Sequence, residues 1–177
     1  MSNLKIGDKA IAFDLPGVDG KHHSLAGDAG NDALVVVFTC NHCPYAQAWE
    51  DRLVQIQAEY ASKGVKLIAI NANDAVKYPD DSFPKMKERA AAKGFNFPYL
   101  HDESQKVARA YGAQRTPEVF VFDKGSTLRY QGTVDDNYED PAAVKTPYLR
   151  QALDAVLAGK PAPTAETAPV GCTIKWK

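Results

Sequence analysis

Two cysteines separated by two residues are the feature of this sequence that most directly predicts chemistry. Cys40 and Cys43 stand in the string Thr39-Cys40-Asn41-His42-Cys43-Pro44. This spacing lets the two sulfur atoms close a small disulfide ring, so that the pair can cycle between dithiol and disulfide through a mixed disulfide with a partner. The chain has three cysteines. That number is too small for a disulfide framework and favours reactivity or metal binding.

The sequence around the pair predicts that it lies between a strand and a helix. Residues Ala33–Phe38 form a continuous apolar run, typical of a strand buried on both faces. Apolar residues after Pro44 recur at helical spacing as far as Tyr60, and proline is tolerated only in the first turn of a helix. We therefore expect both cysteines in or just before that turn, with Cys40 or Asn41 as the helix cap.

Within the pair we expect Cys40 to be the attacking thiolate, because it comes first and should be the more exposed, and Cys43 to be the resolving thiol. The helix N-terminus would favour the Cys40 thiolate. A thiol with a pKa of ~8.5 is only about 3% ionised at pH 7, whereas one lowered to ~6 is about 90% ionised. His42 either stabilises this thiolate as an imidazolium or is a solvated loop residue. The hypothesis requires two sulfur atoms that face each other and that solvent can reach.

A structural zinc site is the competing interpretation of the cysteines. The pair, Cys172 and one histidine would supply the four ligands. Zinc sites usually combine two clustered ligand pairs, and no second Cys-x-x-Cys occurs in the chain. We therefore expect redox chemistry without a bound metal or other cofactor. The candidate histidines are His22, His23, His42 and His101.

Composition and charge argue against several other classes of protein. The 21 basic and 22 acidic residues leave a formal net charge of −1, which gives no electrostatic attraction to nucleic acid or to an anionic membrane. The longest apolar run is too short to cross a bilayer, and the first residues lack the apolar segment of a secretory signal. We therefore expect a cytoplasmic protein with neither nucleic-acid nor membrane partners.

The other elements predict one mixed α/β domain, residues 1–159, and a Pro/Ala-rich tail, residues 160–177, that carries Cys172. Successive strand, helix and strand form a right-handed parallel unit, whereas strands joined by a short turn are antiparallel. We expect no regular structure in residues 160–169. The further predicted strands are Ala10–Leu15 and Lys21–Leu25, which form a hairpin, Val65–Ile70, Phe97–Leu100, Val119–Phe122 and Leu128–Gly132; the further predicted helices are Ser82–Lys93, Ser104–Tyr111 and one that begins at Pro147.

The strings VVVFTCNHCPYA and VFVFDKGSTLRYQG, with the Thr116-Pro117 step between them, resemble thioredoxin-like redoxin families. The resemblance covers residues 7–157 and is nearest to peroxiredoxin-like, AhpC/TSA-related proteins with a Cys-x-x-Cys motif. It implies a thioredoxin fold with an N-terminal hairpin extension. It also implies that Pro117 is a cis-proline beside the cysteine pair and that the Thr116 backbone docks an extended segment of a partner.

Departures from these families bear on the activity. Peroxiredoxins carry Pro-x-x-x-Thr/Ser-x-x-Cys around the reactive cysteine; with Cys43 aligned to it, this chain has Val36 for the proline and Cys40 for the hydroxyl residue. Pro117 replaces the arginine of that site, which argues against an efficient peroxidase. Thioredoxin's aspartate six residues before its first cysteine is Leu34 here. The sequence therefore does not identify a base for Cys43.

Cys172 has two possible roles. The segment between Gly159 and Cys172 spans ~40 Å if extended, about the width of the domain. Cys172 can thus be an auxiliary redox thiol that attacks the Cys40–Cys43 disulfide or resolves a sulfenate. Alternatively its thiol is inert, and the tail simply docks on the core through the apolar residues Val170, Ile174 and Trp176.

Together these observations predict an enzyme, a thiol-disulfide oxidoreductase with an antioxidant or thiol-redox role. Its partners would be protein or small-molecule thiols and disulfides, with a thiol as electron donor. The first alternative is a low-efficiency thiol peroxidase that uses Cys40 or Cys43. The second is a thioredoxin-like module that binds a partner or metal without catalysis.

Overall fold

The structure is a computed structural model that describes residues 2–25 and 30–177. Among the described residues, the central sheet contains five strands. In spatial order they are β5 (Tyr99–His101), β4 (Val65–Asn71), β3 (Ala33–Phe38), β7 (Glu118–Asp123) and β8 (Leu128–Gly132). β3 runs parallel to β4 and antiparallel to β7. β3 therefore joins the predicted parallel strands on one side of the sheet to the predicted antiparallel hairpin of β7 and β8 on the other.

Helices and loops cover both faces of this sheet. The helices are α1 (Pro44–Tyr60), α2 (Phe83–Lys93), α3 (Lys106–Tyr111) and α4 (Tyr148–Leu157). Val35 and Val37 of β3 pack in one core with residues of α1, α2 and α4, whereas Val36 and Phe38 pack in a second core with residues of α3. Every residue of β3 is buried, which confirms the prediction of a strand with two covered faces.

The predicted N-terminal hairpin is present. β1 (Asp14–Pro16) and β2 (His22–Ser24) pair antiparallel. An isolated bridge from Gly17 to Leu100 joins this hairpin to β5 at the edge of the central sheet. α4 begins one residue after the predicted start, with Pro147 as its N-cap.

The tail packs along the domain instead of extending away from it. Residues 160–169 contain no helix or strand, as expected, but the Gln131 N–H donates to Ala165 and the Thr167 N–H donates to Gln131. β8 is the outer strand of the sheet on this side, so its free main-chain groups offer partners to the tail. Further along, β9 (Cys172–Thr173) pairs antiparallel with β6 (Arg115–Thr116).

Among the described residues, no helix combines the length and apolar character needed to cross a membrane.

Candidate active site

Cys40 to Cys43 connect the carboxyl end of β3 to the start of α1. Pro44 is the first helical residue, and Cys43 is the N-cap with φ −75° and ψ 124°. The prediction that Cys40 or Asn41 caps the helix is therefore wrong. The cause is local, because a residue that precedes proline is driven into extended backbone and cannot join the helix.

The two sulfur atoms are neighbours, but both are buried. Each thiol lies within hydrogen-bonding reach of the other, and both cysteines are free. Cys40 is 2% exposed and Cys43 is 0% exposed. Cys40 is the more exposed of the two, as expected, but only by this small margin, and the expectation that solvent reaches the pair is wrong while Tyr45 and Cys172 cover it. Tyr45 and Cys172 pack on the pair, so the tail helps to close the site.

The two sulfur atoms have different electrostatic surroundings. A hydrogen bond from the Cys40 thiol lowers the pKa of Cys43, and the backbone N–H groups of Ala46 and Cys172 lower it further. The pKa of Cys40 is raised by the same hydrogen bond, by burial and by the negative charge of Asp81. Cys43 lies directly at the helix N-terminus, whereas Cys40 lies three residues earlier beside a carboxylate. The directions of the two pKa shifts therefore favour ionisation of Cys43, and the role of Cys40 as the attacking thiolate stays a prediction.

His42 is held in place by a buried carboxylate. Its Nδ1 contacts Oδ2 of Asp81, and its ring stacks on Tyr78 with centroids 5.7 Å apart. The side chain is 28% exposed, so His42 is not a freely solvated loop residue. Ligand-type atoms of Cys40, His42 and Asp81 all lie within 4.8 Å of one another. An imidazole this near the Cys40 thiol is a candidate proton acceptor once it comes within hydrogen-bond distance or is bridged by one water.

Asp81 is the part of the site that sequence reasoning missed. It is completely buried and accepts hydrogen bonds from the Asn41 N–H at 2.6 Å and from the side-chain amides of Asn71 at 3.1 Å and Asn73 at 3.0 Å. The parallel order of β3 and β4 was a usable signal. Loops that follow the carboxyl ends of adjacent parallel strands meet at the same edge of the sheet, so an acidic residue after β4 approaches the thiol pair.

Thr116 contacts both sulfur atoms. Its Oγ1 lies 3.4 Å from Sγ of Cys40, and its carbonyl oxygen lies 3.4 Å from Sγ of Cys43. The carbonyl oxygen accepts a hydrogen bond from Cys43 only while that thiol is protonated, so this bond is lost when Cys43 ionises. The Thr116–Pro117 peptide is cis, as the family resemblance implied. The buried carboxylate of Glu118 accepts the N–H groups of Gln114 and Arg115, and this fixes the chain that leads into Thr116.

Cys172 reaches the pair through β9. Its main chain is opposite Thr116 in the β6–β9 register, and its thiol hydrogen-bonds to Cys43. Burial and the Cys43 sulfur raise the pKa of Cys172 to about 11. Docking of the tail by apolar residues is confirmed for Ile174 and Trp176, which pack on the core, but not for Val170, which is exposed. The tail is therefore docked, and its thiol lies at the site.

The predicted zinc ligands, the three cysteines and a histidine, do not all lie within 4.8 Å of one another among the described residues. Within residues 2–25 and 30–177, the group of three possible ligands that lie together is the one formed by Cys40, His42 and Asp81. His22 and His23 contact Asp14 and Asp19 on the hairpin instead. The three cysteines and a histidine do not form the predicted set. The Asp81 carboxylate is already engaged by the hydrogen bonds described above.

A mixed sheet whose central strand runs into a helix through Cys-x-x-Cys, with a cis-proline beside the sulfur atoms, defines the class of thioredoxin-fold thiol-redox proteins. The sequence profile of the AhpC/TSA family matches residues 6–131. The chain belongs to that family.

Curated relatives, among them the following two, match the chain at modest identity. Thiol-disulfide oxidoreductase ResA of Halalkalibacterium halodurans is 25% identical over 123 residues, which cover 70% of this chain and 65% of that relative. The chain thus matches slightly less than two thirds of the relative's length. A protein of Mycobacterium tuberculosis strain H37Rv, provisionally named a peroxiredoxin, is 26% identical over 140 residues, 77% of this chain and 82% of its own.

A solved structure is similar over nearly the whole chain. The crystal structure of an uncharacterized conserved protein from Geobacillus kaustophilus has a TM-score of 0.93 and 41% identity, and the match covers 99% of this chain and 95% of the other. The tail is included in this coverage. Its position on the domain is thus compatible with a fold shared over the full length.

Proposed function

We propose that this protein is a thiol-disulfide oxidoreductase in which Cys40 and Cys43 cycle between dithiol and disulfide. The observation that carries the proposal is the pair of free cysteines packed together at the N-terminus of α1, with Thr116 against both sulfur atoms. Family membership and the relative named a thiol-disulfide oxidoreductase support it. The substrates we propose are disulfides of proteins or small molecules, with a thiol as the electron donor.

The charge distribution supports Cys43 as the nucleophile. Its thiolate attacks one sulfur of the substrate disulfide, a mixed disulfide forms, and the other substrate sulfur leaves as a thiolate. Cys40 then loses its proton to His42, which Asp81 orients, and attacks Sγ of Cys43. The Cys40–Cys43 bond forms as the mixed disulfide breaks. Two electrons have then passed to the substrate, both of whose sulfurs are released as thiols once protonated.

A trapping experiment assigns the two roles. The variant Cys40→Ser/Cys172→Ser should accumulate a stable mixed disulfide with glutathione on Cys43 when it is treated with oxidised glutathione, because no thiol remains to resolve it. Cys43→Ser/Cys172→Ser is the matched variant and should form this adduct far more slowly. Adduct formation by the second variant alone would instead assign the attack to Cys40, as the sequence predicted.

Reduction of insulin disulfides tests the activity as a whole. Wild-type protein supplied with dithiothreitol should accelerate insulin reduction above the rate of dithiothreitol alone, and Cys43→Ser should not. Failure of wild-type protein to accelerate the reaction, together with failure to form a Cys40–Cys43 disulfide, would exclude the proposed function.

A thiol peroxidase is the second candidate, and the thiolate-stabilising position of Cys43 at the helix N-cap favours it. The Cys43 thiolate would attack a peroxide oxygen to form a sulfenate and release water or an alcohol. Cys40 would then displace the sulfenate oxygen as water and form the disulfide. Comparing the rate of peroxide consumption with the rate of insulin reduction, on the same preparation, separates the two candidates.

A further inference from the structure

We propose that residues 171–175, here named the closing segment, act as a built-in substrate strand that blocks the site and delivers Cys172 to Cys43 as a third redox thiol. This proposal rests on the proposed function, because it assumes that the Cys40–Cys43 pair forms a disulfide. The tail would then have two roles: it controls access to the thiol pair, and its cysteine takes part in disulfide exchange.

The closing segment pairs with the domain as a β-strand. β9 occupies the free edge of β6, with Arg115 opposite Thr173 and Thr116 opposite Cys172. Addition of an extended segment to a strand edge is a common mode of peptide recognition. Since Thr116 contacts both sulfur atoms, any segment that pairs with it brings a side chain to the thiols. The closing segment brings a cysteine.

Gly171 shows how closely the closing segment approaches the domain. A Cβ at this position would lie 2.0 Å from the carbonyl oxygen of Thr116 and 3.2 Å from the nitrogen of Pro117. Those atoms are backbone and cannot move aside easily, so a larger residue cannot occupy the position without displacing the segment. The Arg115 guanidinium also donates to the Gly171 carbonyl oxygen at 3.1 Å. The glycine is thus required for the closed arrangement.

Lys175 anchors the segment beyond the cysteine. Its N–H donates to Oδ1 of Asn73 at 2.9 Å, and its carbonyl oxygen accepts from the Asp74 N–H at 2.8 Å and from the Gln105 side chain at 2.9 Å. Ile174 is buried in the same region. The closing segment is therefore held on both sides of Cys172.

The chemical step is an exchange that needs no outside oxidant. After the pair has reduced a substrate and become a disulfide, the Cys172 thiol loses its proton and attacks Sγ of Cys43. The Cys43–Cys172 bond forms, the Cys40–Cys43 bond breaks, and Cys40 leaves as a thiolate that takes up a proton. No electrons are gained or lost overall. Cys172 is only partly buried, so the disulfide moves toward the surface, where a thiol donor can reach it.

The tether explains how the segment can act as a gate. A tethered segment competes with free partners at an effective concentration in the millimolar range. A weakly binding substrate segment is then excluded until the closing segment leaves, whereas a partner with extensive contacts can displace it. The gate therefore selects for proteins that pair well with β6.

Disulfide mapping tests the delivery of Cys172. Trypsin cleaves after lysine and arginine but not before proline, so Cys40 and Cys43 fall in peptide 22–52 and Cys172 in peptide 151–175. Full-length Cys40→Ser, oxidised with diamide and alkylated before digestion, should yield the two peptides joined. Full-length Cys172→Ser should yield peptide 22–52 with an internal disulfide. Wild-type protein should contain both species.

The outcomes separate the two proposals. If Cys172→Ser forms its internal disulfide but neither Cys40→Ser nor wild-type protein yields joined peptides, the third-thiol step is wrong and the proposed function stands. If Cys172→Ser forms no disulfide, the proposed function itself fails. Joined peptides from Cys43→Ser but not from Cys40→Ser would place the exchange on Cys40 and overturn the assignment made here.

A glycine substitution tests the gate. Gly171→Ala should raise the rate at which iodoacetamide labels the pair in reduced protein by about tenfold or more, because the added methyl group displaces the closing segment. Gly125→Ala is the matched control, since a Cβ there would lie at 3.4 Å or more from its neighbours, and it should label at the wild-type rate. Equal labelling of Gly171→Ala and wild-type protein would show that the segment does not limit access.

Discussion

The imidazole of His42 is held against the completely buried carboxylate of Asp81, with the sulfur atom of Cys40 within 4.8 Å of both. This relationship places a fixed negative charge and a proton acceptor on one side of the thiol pair. On the other side, α1 presents its N-terminus to Cys43. The two sulfur atoms thus lie in opposite electrostatic surroundings, and the predictions below depend on this asymmetry.

Replacement of the buried carboxylate should slow the resolving step. In a Cys172→Ser background, Asp81→Asn should reduce the rate at which glutathione is released from a mixed disulfide on Cys43 by about 100-fold, because His42 loses the partner that orients it for proton transfer. This loss should outweigh the easier ionisation of Cys40 that follows from removing the Asp81 charge. Rapid-quench measurements over a range of pH values check this. The pH dependence of the step should flatten as well, which a purely structural role would not produce.

Asp80→Asn is the control for that experiment, since Asp80 is adjacent in sequence and exposed. It should resolve the mixed disulfide at the rate of the Cys172→Ser background. Equal rates for the two asparagine variants would remove Asp81 and His42 from the resolving step.

The ultraviolet absorbance of the thiolate should identify the ionised cysteine. Reduced Cys172→Ser should show one thiolate that persists well below pH ~8.5, the ordinary thiol value, because the pKa of Cys43 is lowered. This signal should disappear in Cys43→Ser. In Cys40→Ala its midpoint should rise, because Cys43 loses the hydrogen bond that contributes most to the lowering. A low-pH thiolate that survives in Cys43→Ser would locate the charge on Cys40.

The stability of the reduced protein should depend on pH through the same pair. Folding lowers the pKa of Cys43, so this thiol contributes fully to the free energy of unfolding above the pKa that it has in the unfolded chain, ~8.5. This contribution is lost as the pH falls through the lower pKa of the folded state. The pKa of Cys40 is raised, so its contribution is present below ~8.5 and is lost at higher pH. Relative to Cys40→Ser/Cys43→Ser, the free energy of unfolding of wild-type protein should therefore peak near pH ~8.5.

Urea denaturation under reducing conditions at several pH values measures this peak. A difference between the two proteins that does not vary with pH would show that neither thiol pKa changes on folding.

A buried ion pair away from the thiols should matter for stability. Arg52 donates to both carboxylate oxygens of Asp135, at 2.9 and 2.8 Å, and Trp49 Nε1 donates to the same group. Asp135→Ala should reduce the free energy of unfolding by about 3–5 kcal/mol, because it leaves the Arg52 charge buried without its partner. Urea denaturation checks this value.

The exposed pair of Glu59 and Arg150 provides the comparison. Glu59→Ala should reduce the free energy of unfolding far less than Asp135→Ala does, because solvent screens a surface ion pair. Similar losses in Glu59→Ala and Asp135→Ala would contradict the importance of burial.

Much of the fold was predictable because its signals are local. The unbroken apolar run of Ala33–Phe38 predicts a fully buried strand, and Pro44 with the apolar spacing to Tyr60 predicts α1; both are observed with these bounds. The segments that pair with the edges of the sheet were less predictable. The irregular residues 160–169 carry no strand pattern, and they are ordered by the free edge of β8, which exists only after the sheet has formed.

The sequence by itself determined that two sulfur atoms would meet between a strand and a helix, because spacing, apolar periodicity and proline act over a few residues. Only the tertiary structure decided which charged groups surround each sulfur and what covers the pair. Asp81 lies 41 residues beyond Cys40 and Cys172 lies 129 residues beyond Cys43 in the numbering of the chain. Electrostatic fields and burial depend on distance in space, and that distance is set by the packing of the whole sheet.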